Sequence, residues 1–214
     1  MSDGTISVNG SYDGTATLAL DEGFEQDAGT VTALSGTIDV TGDYNQLAGS
    51  ATFTSSTVAL TGTFDLGGST TIANSGLTAE PISIASGAML YGRGGTITGD
   101  VTNAGTLDLI IGTSVNALNV TGNYTQTSAG TMTANLAGTT SNGKLNVSGT
   151  AYLDGTLNVQ LIDGFMPYPG NQFLIIWANQ LSGTFASMNL PGLTQGHWVP
   201  SYSTQTLTLA VWYN

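Results

Sequence analysis

Short runs in which every second residue is apolar recur along the whole chain, and the residues between them are mostly Thr, Ser and Asn. A period of two places one side of a strand inside and the other in solvent. The runs are rich in Val, Ile, Leu, Thr and Tyr and are bounded by Gly, Asn, Asp and Ser, the residues of strand ends and turns. A helical period of 3.6 is nowhere sustained, and the most helix-friendly segment, Asp21 to Ala28, is interrupted by Gly23. The pattern predicts an all-β protein.

The clearest stretch is LNVTGNYTQTSAGTMTANLAG, Leu118 to Gly138: an alternating strand, a Gly-centred bend, a Tyr, a polar run with Gly130, then a second alternating strand. Its opening recurs as Ile6-Ser-Val-Asn-Gly10-Ser-Tyr12, Ile38-Asp-Val-Thr-Gly42-Asp-Tyr44 and Val58-Ala-Leu-Thr-Gly62-Thr-Phe64. A shorter copy, Leu145-Asn-Val-Ser-Gly149-Thr-Ala151, lacks the aromatic. The shared glycines, at 10, 42, 62, 122 and 149, are separated by 32, 20, 60 and 27 residues. Separations of 20 and 60 fit a unit of about 20 residues, within the range of solenoid repeats. Those of 32 and 27 require loops of variable length.

Two architectures suit such a unit. In a parallel β-solenoid each coil holds two or three short strands, coils stack about 4.8 Å apart, and Gly or Asn occupies the corners. In an antiparallel sandwich tight hairpins separate the strands, and Asp3-Gly4, Asp13-Gly14 and Asp154-Gly155 are candidate turns. The repeat reads strand–bend–strand rather than strand–hairpin–strand, which favours the solenoid: about eight coils between Ile6 and Asp163, a rod of about 40 Å. We therefore expect solenoid coils over 1–163 and a C-terminal capping β segment over 164–214. The latter holds four of the five prolines, all three Trp and the sole His. Its near-continuous apolar run Phe173-Leu-Ile-Ile-Trp177 predicts a strand buried on both faces, and Leu207, Leu209 and Val211 alternate in a last strand.

Composition narrows the function. Only 7% of residues are charged, Arg93 and Lys144 are the only basic side chains, and the formal net charge is -12. Such a chain cannot neutralise a phosphate backbone, so nucleic-acid binding is not expected, nor is adhesion to an anionic membrane. There is no Cys, no apolar run near 18 residues and no visible signal peptide, so neither thiolate metal sites nor membrane insertion is expected.

Candidate chemistry is sparse. Asp21, Glu22, Glu25 and Asp27 flank Phe24; a protruding, solvated acidic loop is the simpler reading, with calcium ligation and paired-carboxylate catalysis as alternatives. Arg93, in Gly92-Arg-Gly-Gly95, reads as an exposed turn residue, and His197 beside Trp198 as a polar cap residue with no nucleophile to serve. Tyr12, Tyr44, Phe64 and Tyr124 recur at one repeat position, as a ladder stacked inside the solenoid or along one of its faces rather than a sugar-binding one. Asn9, Asn119, Asn123 and Asn146 begin glycosylation sequons, which a Thr/Asn-rich repeat produces readily. Thr-x-Thr motifs, among them those at Thr15, Thr52, Thr61, Thr96, Thr131 and Thr206, raise ice binding, but their irregular spacing argues against one flat face. No catalytic, metal or cofactor residues are assigned.

GTITGDVTNAGTLDL (Gly95 to Leu109), the Leu118–Gly138 stretch, LNVSGTAYLDGTLNVQLIDGF (Leu145 to Phe165) and GNQFLIIWANQLSGTF (Gly170 to Phe185) resemble, in this order, the C-terminal passenger region of bacterial autotransporter-type adhesins. The likeness spans roughly Gly95 to Trp212. It implies a right-handed parallel β-helix, secreted or displayed on a cell surface. The chain departs from the family where Ile110-Ile-Gly-Thr-Ser replaces a Ser-Pro-Gly-type turn, and no membrane β-barrel follows. The expectation is an extracellular structural or adhesive protein without catalysis. It would act by self-association into a homo-oligomer or filament through the solenoid ends, or by contact with a surface glycan or receptor. The alternative is a carbohydrate-active β-helix enzyme.

Overall fold

The computed structural model describes residues 4–10, 16–110 and 117–213. Tyr12, Thr15, the Asp13-Gly14 turn, Asp3 and the segment after Ile110 named above lie outside them. Among the described residues there is no helix, hence none long and apolar enough to cross a membrane.

The strands follow one another three to a coil. The first coil holds β1 (Thr5–Asn9), β2 (Thr17–Leu20) and β3 (Phe24–Gln26), and the second β4 (Thr30–Leu34), β5 (Thr37–Val40) and β6 (Tyr44–Gln46). Then come β7 (Ser50–Thr54), β8 (Thr57–Leu60) and β9 (Phe64–Leu66), followed by β10 (Ser69–Ala73), β11 (Gly76–Thr78) and β12 (Ile82–Ile84). The next two coils are β13 (Met89–Arg93), β14 (Thr96–Thr98) and β15 (Val101–Asn103), then β16 (Thr106–Leu109), β17 (Ala117–Val120) and β18 (Tyr124–Gln126). In the following coils β19 (Thr131–Leu136) precedes a long β20 (Lys144–Leu153), and β21 (Thr156–Leu161) a long β22 (Gln172–Gly183). β23 (Ser187–Asn189), β24 (His197–Tyr202) and β25 (Thr206–Trp212) close the chain.

Each strand from β1 to β23 pairs in parallel with its counterpart one coil away, and three stacks result. The first runs β1-β4-β7-β10-β13-β16-β19-β21-β23. The second contains β2, β5, β8, β11, β14 and β17, and the third β3, β6, β9, β12, β15 and β18. β20 joins them, because its first half pairs β17 and its second half β18. The parallel stacks continue past Asp163 through β22 and β23. Among the described strands the antiparallel pairs are β22–β25 and β24–β25, so that β25 lies between β22 and β24. The molecule is thus an all-β solenoid of stacked parallel sheets. Thr5, Thr30, Ser50, Ser69, Met89, Thr106, Thr131, Thr156 and Ser187 lie in one column, so the coil length varies from 17 residues (Met89 to Thr106) to 31 (Thr156 to Ser187).

The alternation seen in the sequence buries one residue in two. Val31, Ala51, Leu90, Leu107, Met132 and Leu157 form an inward column of the first stack, and Ile38, Val58, Leu77, Ile97, Val120 and Val147 one of the second. Each such side chain contributes about 1.5–3 kcal/mol on leaving water. On the third stack Phe24, Tyr44 and Phe64 pack edge to face at 4.8 and 4.9 Å between ring centroids. The column continues through Ile82 and Val101 to Tyr124. The aromatic ladder is therefore internal, and Tyr44, Phe64 and Tyr124 are buried.

The polar residue that follows a corner Gly joins the corners of successive coils. Asp43 Oδ1 accepts the Thr63 amide at 2.7 Å, Asp100 Oδ1 the Asn123 amide at 2.7 Å, and Asn123 Oδ1 the Thr150 amide at 2.9 Å. These side chains satisfy backbone donors that the bend removes from the ladder, as N-caps do for helices. Asp100→Ala is expected to cost about 1–2 kcal/mol, measured as a lower urea midpoint with an unchanged slope; an unchanged midpoint would remove this role from the corner carboxylates.

Several expectations change. Ile6 pairs with Val31, not with Ile38, and the Gly10 amide donates to Leu34 O at the end of the first stack. The first copy of the repeat is therefore a different corner of the coil, and its likeness to the others is local. Asp21 to Asp27 form no protruding loop: Phe24–Gln26 is a strand of the third stack, with Asp21 and Glu22 at the bend before it. Arg93 is the exposed last residue of β13 rather than part of a turn. Asp154-Gly155 is the corner between β20 and β21 of a parallel stack, not a hairpin; Gly155 takes φ 64° there. β22 is buried on one face only, not on both. An irregularity in its pairing with β25 between Leu174 and Ile176 turns both Ile175 and Ile176 inward, and Trp177 comes out on the solvent side.

Candidate functional site

The outer side of the second stack carries a row of amides. In β17, β20 and β22 the residues Asn119, Asn146 and Trp177 stand opposite one another at one level of three successive coils. Asn119 Nδ2 donates to Gly95 O at 3.1 Å, and Asn146 Nδ2 donates to Asn119 Oδ1 at 3.0 Å. The Asn146 carbonyl oxygen is the terminal acceptor of this ladder, next to Trp177. The Trp177 indole is 42% exposed, which is unusual for a side chain whose burial would be strongly favourable. With Val120, Thr121 and Ser148 these residues line a hollow of about 420 Å³ that contains no charged group.

The same sheet surface runs on to β25 and β24. Thr206 stands opposite Trp177, Ala210 opposite Gln172, and Trp212 opposite His197. Gln172, Val199, Pro200, Ser201, Thr208, Ala210 and Trp212 line a second uncharged hollow of about 460 Å³. The other side of this hairpin faces the core: Phe173, Leu207, Leu209 and Val211 are buried, and Trp198 packs on Phe173 while its Nε1 donates to Pro191 O at 2.8 Å. An exposed indole among amides and hydroxyls can stack on the apolar face of a sugar ring and hydrogen-bond its hydroxyls.

A third hollow, of about 380 Å³, lies on the third stack and includes Glu25, Asn45, Leu47, Asp65 and Ser83. Glu25, Asn45 and Asp65 are in register, so the two carboxylates are two coils, about 10 Å, apart along the stack. Both side chains are exposed, whereas the general acid of a glycosidase sits in an apolar surround.

Of the other candidates, no three His, Asp or Glu side chains converge to hold a metal ion among the described residues. His197 is exposed at the start of β24. Arg93 instead contributes, with the Asn135 amide at 2.9 Å, to holding the Asp108 carboxylate against the burial that pushes its pKa up. Asn123 uses its amide on Asp100, and Asn119 and Asn146 use theirs in the ladder; Asn9 is exposed at the end of β1. The Thr-x-Thr motifs fall on different surfaces: Thr52 and Thr131 on the first stack, Thr96 on the second, Thr206 on the hairpin.

Two features escaped the sequence reading. Gln26, Gln46 and Gln126 are buried two residues after the ladder aromatics. Tyr44 donates to Gln26 Oε1 and Tyr124 to Gln126 Oε1, each at 2.6 Å, and Gln126 Nε2 donates to the Gly130 and Thr156 carbonyls. The signal was present as aromatic-x-Gln at 24, 44 and 124. Trp177 carried no such signal, since it ends an apolar run and only the register places it beside Asn146. No protein-family model and no curated protein matches the chain.

Proposed function

We propose that the chain is an extracellular structural and adhesive protein: a right-handed parallel β-helix whose uncharged outer surface at Trp177 holds a neutral glycan without catalysis. The observation that carries this reading is the exposed indole of Trp177 at the end of the Asn119–Asn146 ladder, in a hollow free of charge. Right-handedness is supported by the general preference of connections between parallel strands. The motif string resembling autotransporter passengers supports both that hand and a location outside the cell. The β24–β25 hairpin along β22 would act as the cap that keeps the last coil from an open edge.

Binding to neutral polysaccharides by isothermal titration tests the glycan site. Trp177→Ala is expected to weaken it at least tenfold, about 1.4 kcal/mol; equal affinity would place the site elsewhere. The paired carboxylates favour one second reading, a carbohydrate-active enzyme using Glu25 and Asp65. Release of reducing ends by the protein, abolished in Glu25→Gln or Asp65→Asn, would establish it. Homo-oligomers or filaments formed through the solenoid ends remain part of the proposal, and monodisperse single particles in electron micrographs of concentrated protein would sink that part.

A further inference from the structure

We propose that the hollow at Trp212 is a second subsite for the same ligand, so that the ligand is a linear neutral polysaccharide long enough to lie across both indoles. This rests on the glycan reading of Trp177 and deepens it. Cross-strand partners share a sheet face, so Trp177 lies on the side of Thr206; Thr208, Ala210 and Trp212 follow on that side at every second residue of β25. Trp212 is six positions beyond Thr206, about 20 Å along the strand. It is 59% exposed, and Gln172, Thr208 and Ser201 supply amide and hydroxyl groups between the two rings. A ligand touching both runs along β25, across the rod rather than along it.

Two observations select the chemistry. Neither hollow is lined by a charged side chain that could pair with an ionic group, and the chain's net charge of -12 repels an anionic polymer, so an uncharged polymer suits this surface. β25 is also paired on both edges, by β22 and β24. Its backbone groups are spent within the sheet, and an extended peptide cannot add to it as a further strand. What the surface offers is side chains: aromatic rings at two ends with polar groups between them.

The test is titration calorimetry with a length series of neutral β-linked glucans and xylans, from disaccharide to soluble polymer, on the wild type, Trp177→Ala, Trp212→Ala and Trp212→Tyr. The polymer is expected to bind about 100-fold more tightly than the disaccharide. Trp212→Ala removes that gain while leaving disaccharide binding at Trp177 intact, and Trp212→Tyr keeps most of it. Both positions are solvent-exposed, and an unchanged melting temperature separates lost contacts from lost folding. If Trp177→Ala weakens binding but Trp212→Ala leaves polymer affinity unchanged, the second subsite is wrong and the first stands. Absence of binding to every glycan, or capture of a peptide ligand instead, overturns both.

Discussion

Gly99→Ala will destabilise the protein by at least about 3 kcal/mol, and the variant will be found largely unfolded or insoluble. Gly99 has φ 132°, which strains any L side chain by about 1–3 kcal/mol. Its missing Cβ would also run into the backbone carbonyl of Ala79 in the coil below. A carbonyl in a stacked ladder cannot swing aside as a flexible side chain would, so the coils themselves must separate. Gly76 is the internal control. It lies in β11 between Thr57 and Thr96, with open space where a Cβ would be and no positive φ. Gly76→Thr continues the flanking column and is expected to raise stability by about 0.5–1 kcal/mol, through the unfolded chain and a better strand former. Denaturant unfolding of the two variants checks both signs; a mild effect at Gly99 would show that the coils can slide apart at that corner.

The second large effect is on pH. Burial pushes the phenols of Tyr44 and Tyr124 well above their usual value of 10.0. Each hydroxyl is a donor to a buried glutamine, an arrangement that only the protonated form can make. Above about pH 10 the unfolded chain releases these protons and the folded one does not, so the folded state binds more protons and stability falls as pH rises. Each phenol contributes about 1.4 kcal/mol per pH unit, so the pair removes about 5 kcal/mol between pH 10 and 12. This is of the order of a whole domain's stability. Circular dichroism and tyrosinate absorbance followed together should show one coincident transition in this range. An unfolding free energy as high at pH 12 as at pH 9 would refute the argument.

Much of the scaffold was legible because its cause is local. Val58 and Leu60, or Leu145 and Val147, point inward for no reason beyond the two-residue period of a strand. The glycine–polar–aromatic step was correctly read as a bend, because Gly42 takes a positive φ and Asp43 and Asn123 offer acceptors to the neighbouring corner. Tyr44 and Phe64 do stack, as their shared place in the repeat implied. The similarity between Ile6–Gly10 and Ile38–Gly42 misled for the same local reason: two corners of one coil can have the same short sequence. Which corner stacks on which is decided by hydrogen bonds between residues 17 to 31 positions apart, and these distances have no signature in a single strand.

The candidate binding surface was less legible than the scaffold. Phe173-Leu-Ile-Ile-Trp177 reads as buried on both faces, and Asn119 and Asn146 read as sequons. Their meeting with Trp177 depends on register across three coils, and the exposure of the indole depends on the irregularity at Ile175. Chain order alone therefore determined that this protein is all-β, that alternate residues are its core and that glycines mark its bends, since each follows from the preferences of a few neighbouring residues. Only the tertiary structure decided the size of each coil, the partner of each corner and the side of the sheet on which Trp177 and Trp212 lie. Stacking is cooperative and long-range, and a slip of one residue in the pairing of a strand turns all of its side chains to the opposite face.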